Sequence, residues 1–72
     1  IPKNKIERIA LALESDAQTI GHLLIIARQM ATDHNLDSGF RIVINNGAEG
    51  GESVPHLHVH VLGGRQMKWP PG

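Results

Sequence analysis

The chain has 72 residues, with 7 Lys and Arg against 7 Asp and Glu, 5 His and no Cys. That length allows one domain at most, and the zero formal charge shows neither the basic excess of a nucleic-acid binder nor a lysine-rich membrane patch. Without cysteine there is no disulfide framework and no thiolate zinc site, and no apolar run approaches the ~20 residues that cross a bilayer. The first residues, Ile1-Pro2-Lys3, lack an initiator methionine and a polar lead-in, and they suggest a piece of a longer domain.

Asn4 followed by Glu7 fits a helix-capping box, and Ile6, Ile9, Ala10 and Leu13 recur on one helical face, so residues 5–13 are predicted to form a short helix. Ser15 followed by Gln18 is a second capping box, with Asp16 adding negative charge where a helix dipole favours it. A long helix is predicted over 16–34. Ile20, Leu23, Leu24, Ala27, Met30 and Ala31 form its expected buried stripe, and Ile25 and Ile26 widen the apolar arc, which fits either deep burial within one domain or a helix that also packs on a partner subunit. Asn35 to Gly39 is a turn cluster. Residues 40–45 are β-branched and apolar and predict a strand; Asn46-Gly47 and Gly50-Gly51 mark a glycine loop through Ser53. A second strand is predicted over 54–62, and residues 63–72 form an extended tail with two prolines beside Trp69. Two strands and one long helix make an incomplete sheet.

The sequence from His56 to Leu62, HLHVHVL, places three histidines two residues apart. On a strand His56, His58 and His60 share one face, and Leu57, Val59 and Val61 share the other. Three readings compete. In the first, a metal is bound; but residues two apart on a strand are separated by about 6.6 Å and residues four apart by about 13 Å. His56 and His60 therefore share one ion only if the strand bends. In the second, one imidazole is a nucleophile, with one ring nitrogen free and the other held by a hydrogen bond that sets its tautomer. The glycine loop then supplies backbone N–H groups to an anionic substrate, and Ser53 a hydroxyl. In the third, the histidines form only a solvated face. That third reading is the one adopted for His22 and for His34, which sits at a helix C-terminus where a cation is favoured.

HLHVHVL matches the His-φ-His-φ-His-φ-φ signature (φ apolar) of the histidine triad, or HIT, family. Residues 39–72, GFRIVINNGAEGGESVPHLHVHVLGGRQMKWPPG, resemble the C-terminal half of its Hint branch, the histidine triad nucleotide-binding proteins. Ile1-Pro2-Lys3 and IGHLL at 20–24 are similar to the same branch. The tail favours Hint over the fragile-histidine-triad branch, and the intact His60 disfavours the uridylyltransferase branch, where glutamine takes that place. The resemblance implies an α+β domain with an antiparallel sheet and a long packed helix, of which this chain is a C-terminal part. It implies a purine nucleotide-binding hydrolase or transferase that cleaves nucleoside phosphoramidates or acyl-adenylates and releases AMP, without a metal or other cofactor. By residue, His58 matches the nucleophile, His56 the residue whose carbonyl orients it, and His60 a phosphate contact. Asn45 matches a nucleotide-binding asparagine, Gly51, Glu52 and Ser53 the phosphate-side loop, with Ser53 assisting the leaving group. Trp69 matches a tail residue that reaches the partner's active site in a homodimer. The implied location is cytoplasmic, with the nucleus as a second. Two alternatives stay open: a nucleotide-binding or protein-interaction module without turnover, and a dinucleoside polyphosphate hydrolase.

Overall fold

The computed structural model describes residues 5–72, so the expected cap at Asn4 and the similarity at Ile1-Pro2-Lys3 lie outside it. Its elements are one α-helix, α1 (Ala17–Asp33), and two strands, β1 (Phe40–Val43) and β2 (His60–Gly63), with single 3₁₀ turns at Ile9–Leu11, Glu14–Asp16 and Ala48–Gly50. The strands pair antiparallel, Phe40 opposite Gly63 and Val43 opposite His60. The architecture is the expected α+β one, an antiparallel sheet with a long helix packed on it.

The predicted helix over 5–13 does not form. Arg8 is fully extended, with φ −159° and ψ 163°, and only Ile9–Leu11 make a turn. The apolar spacing was helical, but a helix this short is marginal by itself, and tertiary partners decide its backbone. Ile6 is buried at 6 % exposure beside Leu57 at 2 %, and the Ile6 carbonyl accepts the Leu57 N–H at 2.6 Å. Ile9, Ala10 and Leu13, the other residues of the predicted face, are exposed.

The long helix is where the periodicity puts it. Its start differs in detail: the reach-back bond is made by Asp16, whose Oδ2 accepts the Leu13 N–H at 2.9 Å, and not by Gln18 on Ser15. Its end follows from Asn35, which takes φ 60°. The Asn35 N–H then bonds the Thr32 carbonyl and the Leu36 N–H bonds the Ala31 carbonyl, the pairing of a Schellman motif with Asn in the place of Gly. His34 donates through Nδ1 to the Met30 carbonyl at 2.9 Å, an acceptor that it shares with its own backbone N–H. Of the expected stripe, Ala27 and Ala31 are buried and Ile20 and Leu23 half-buried, but Leu24 and Met30 are exposed, as are Ile25 and Ile26. A two-stranded sheet is too narrow to cover so wide an arc. Beyond the helix, Leu36 packs on β2 so closely that a Cβ at Gly63 would lie 2.7 Å from Leu36 Cδ1.

The predicted strand over 54–62 is also corrected. Only its last part, from His60, is in the ladder, which runs one residue further, to Gly63. Continuing the register would set Asn45 and its neighbours opposite His58, but β1 ends at Val43 and the chain turns at Gly47, with φ 77°, into the glycine loop. Residues 54–59 therefore have no ladder partner in β1. Residues 54–56 bend, and the Leu57 N–H takes the Ile6 carbonyl instead.

Candidate functional site

The histidine stretch keeps an alternating exposure although half of it lies outside β2. Leu57 is buried, Val59 and Val61 are half-buried, and His56 and His60 are exposed. His58, between them, is half-buried. Its Nδ1 lies 2.7 Å from the His56 carbonyl oxygen. A carbonyl only accepts, so Nδ1 carries the proton, and in the neutral ring Nε2 holds the lone pair. The His60 ring meets that of His58 edge-on, with centroids 4.8 Å apart and planes at 77°. The backbone of His56, not its ring, thus fixes the orientation of His58, while His60 flanks it by side chain.

The glycine loop is built around Glu52. Its Oε1 accepts the Gly47 N–H at 3.0 Å, which closes residues 47–52 into a small ring beside the backbone Glu52 N–H to Gly47 carbonyl bond, also 3.0 Å. Gly51, at φ 83° and ψ 17°, is left-handed, a conformation that costs a side-chain-bearing residue about 1–2 kcal/mol, and Gly47, at φ 77° and ψ 170°, lies in a region that is essentially glycine's alone. Arg8 grips the same carboxylate as a fork, Nε to Oε1 at 3.0 Å and Nη2 to Oε2 at 3.0 Å. The Arg8 guanidinium and, next, the Gly47 N–H hold the Glu52 carboxyl below its ordinary value, and the same carboxylate raises Arg8. A position two further along the N-terminal segment, the Ala10 N–H, donates to Asn46 Oδ1 at 2.8 Å. Ile6, Arg8 and Ala10 thus tie to Leu57, Glu52 and Asn46 at alternate residues, and the segment straps the loop and the histidine stretch together.

The expected site residues are placed unevenly. Asn45 lies beside Gly51, its Nδ2 4.0 Å from a Cβ built there. His56, His58 and His60 are brought together as described. Glu52, expected in the phosphate-side loop, has its carboxylate bonded to Arg8 and to the Gly47 N–H. Ser53 is exposed and makes no hydrogen bond to His58 among the described residues. Trp69 projects from the tail at 87 % exposure, the tail being anchored by Arg41 Nη2 on the Lys68 carbonyl at 2.9 Å. A cavity of about 510 Å³ lies elsewhere, between the turn after α1 and the tail, lined among others by Leu36, Phe40, Arg41, Arg65 and Met67. Arg8 was missed by sequence reading. Forty-four positions separate it from Glu52, and the one local hint was an acidic residue inside a loop suited to anions.

An α+β domain that presents a carbonyl-oriented histidine beside a glycine loop is the architecture of the histidine triad class. A sequence profile of the HIT domain matches residues 1–67, and the chain belongs to the HIT domain family. It is 49 % identical over 72 residues to an uncharacterised HIT-like protein of Synechocystis, covering all of this chain and 63 % of that protein. It is 49 % identical over 74 residues to the 14 kDa zinc-binding protein of Zea mays, covering 58 % of it. Among solved structures, a HIT family hydrolase from Legionella pneumophila superposes with a TM-score of 0.93 at 42 % identity, over 100 % of this chain and 65 % of that one. A HIT family hydrolase from Clostridium thermocellum gives 0.89 at 36 %, over 94 % and 60 %. The chain thus spans about three-fifths of the length of these relatives, and a partial HIT domain fits the fold. The maize protein's name refers to zinc. Here the described His, Asp and Glu residues form no group of three or more that could hold a metal ion, where a structural zinc takes four ligands.

Proposed function

We propose that this chain is the C-terminal, catalysis-bearing part of a Hint-branch protein, a purine nucleotide-binding hydrolase or transferase that cleaves nucleoside phosphoramidates or acyl-adenylates. The observation that carries this reading is the His58 Nδ1–His56 carbonyl bond, which leaves Nε2 as a lone-pair nitrogen aimed away from its own backbone. Nε2 attacks the α-phosphorus. The P–N bond to the leaving amine, or the P–O bond to the leaving carboxylate of an acyl-adenylate, breaks, the amine taking up a proton as it departs, and a nucleotidyl-histidine forms. Water then attacks the same phosphorus, the P–Nε2 bond breaks, and AMP is released with the imidazole restored. His60 contacts the phosphate oxygens, Asn45 and the loop at Gly51 hold the nucleotide, and Ser53 assists the leaving group. Positioning and hydrogen bonds to the phosphoryl oxygens supply most of the rate.

The names of the hydrolase neighbours support turnover over a purely binding role. AMP release from an adenosine phosphoramidate tests it: His58→Ala is expected to lower the rate about 10³-fold or more, the loss typical of a removed nucleophile. Equal rates in wild type and variant would sink the assignment, and slow turnover of both with retained AMP binding would favour the binding module. Faster cleavage of diadenosine polyphosphates than of the phosphoramidate would favour the other hydrolase branch. The reading includes a homodimer in the cytoplasm. The support for the homodimer is the exposed arc of Leu24, Ile25, Ile26 and Met30 together with Trp69. Light scattering at micromolar concentration is expected to give twice the monomer mass, and a monomer counts against it.

A further inference from the structure

The Arg8–Glu52 pair joins the extended N-terminal segment to the loop that precedes the histidines, across 44 positions of sequence. Glu52 is the more enclosed partner, its side chain 11 % exposed against 33 % for Arg8. A carboxylate this enclosed needs its charge compensated and its oxygens bonded. Arg8 does the first with a two-pronged grip, and the Gly47 N–H takes up part of the second. The carboxylate also sits in the loop to which the proposed reaction brings a negatively charged phosphate, where an uncompensated glutamate would repel substrate.

We propose that Arg8 is a positioning residue for the phosphate-side loop. Acting through Glu52 it sets the Gly47 turn, and it neutralises the half-buried one of the loop's two acidic residues, the other, Glu49, being exposed. The proposal rests on the reading of His58 as nucleophile. Arg8 touches no reacting atom in this scheme; it holds the carboxylate, the carboxylate holds Gly47, and the loop between Gly47 and Ser53 is thereby kept in one shape. Two outcomes await an unpaired Glu52. Either it swings to solvent and releases the Gly47 N–H, or it stays and its charge faces the phosphate.

Two readouts on the intact protein test this. Backbone amide exchange of Gly47, followed by NMR, is expected to accelerate about tenfold or more in Arg8→Ala and in Glu52→Ala, as for an amide moved to a low-stability local opening. Unchanged exchange in both overturns the clasp. With an adenosine phosphoramidate as substrate, Arg8→Ala is expected to lower kcat about tenfold with KM within about twofold, the size of effect that loose positioning gives. The double variant should be no slower than the worse single one, because both break one unit. Arg8→Lys keeps the charge and the stem but not the fork, takes the place of the alanine variant should that one not fold, and should fall between wild type and Arg8→Ala. A lowered Tm with kcat unchanged in the Lys and Ala variants alike means a merely structural pair and overturns the proposal. Absence of AMP release by wild type sinks the reaction assigned to His58 instead, and Gly47 exchange then decides the clasp alone.

Discussion

The helix α1 and the histidine stretch differ in what holds them. α1 is specified by its own sequence: 17 residues of helical periodicity, closed at Asn35 by a local hydrogen-bond pattern. Yet only Ala27 and Ala31 of it are buried. The histidine stretch has little regular structure before His60, but contains Leu57, at 2 % exposure as enclosed as any residue described. It is held by residues distant in sequence, through the Leu57–Ile6 backbone bond and through the neighbouring loop's grip on Arg8. Local pattern produces an element; the site's geometry depends on contacts that local pattern does not encode.

Truncating Leu57 strikes the second region where it is anchored. Leu57→Ala is expected to cost about 2–4 kcal/mol of unfolding free energy, from lost burial and the cavity left behind. Urea denaturation of the intact protein reads it, and a cost under about 1 kcal/mol would remove the contrast with α1. Asn35→Ala acts on the first region. It places a Cβ-bearing residue without a polar side chain at φ 60°, with an expected loss of about 1 kcal/mol, while Asn35→Gly is expected to be neutral or stabilising. Equal stability of the Ala and Gly variants would show that the helix end is held by tertiary packing.

The smallest effect is electrostatic and belongs to the loop. Glu52 is held below its ordinary carboxylate value by Arg8 first and by the Gly47 N–H next. A depressed acid stabilises the fold above its unfolded pKa, and that contribution fades as pH falls through the lower folded value. Acid titration of stability is therefore expected to be shallower in Glu52→Gln than in wild type, with the difference confined to the acid side of the ordinary glutamate range. Parallel curves would show that the pair contributes nothing to folding.

The α1 span, the order of strand, glycine loop and histidine strand, and the α+β class were legible because each rests on periodicity or turn chemistry within a few residues. The seven-residue HLHVHVL motif likewise carried the family resemblance. Three features were not legible. The segment at 5–13 has helical spacing, but Ile6, Arg8 and Ala10 are each claimed by a distant partner that needs them extended. The ladder stops short because the glycine loop diverts β1 away from residues 54–59. The pairing of Glu52 with Arg8, 44 positions away, left no local signal at Arg8.

The sequence by itself therefore determined the family signature HLHVHVL and the span of α1, since both depend on residue type and short-range spacing. Only the tertiary structure decided which charge Glu52 meets, how the segment before α1 runs and where the second strand begins. Those depend on pairing between chain segments tens of residues apart, and backbone hydrogen bonds and ion pairs at such range leave no periodic trace in the sequence.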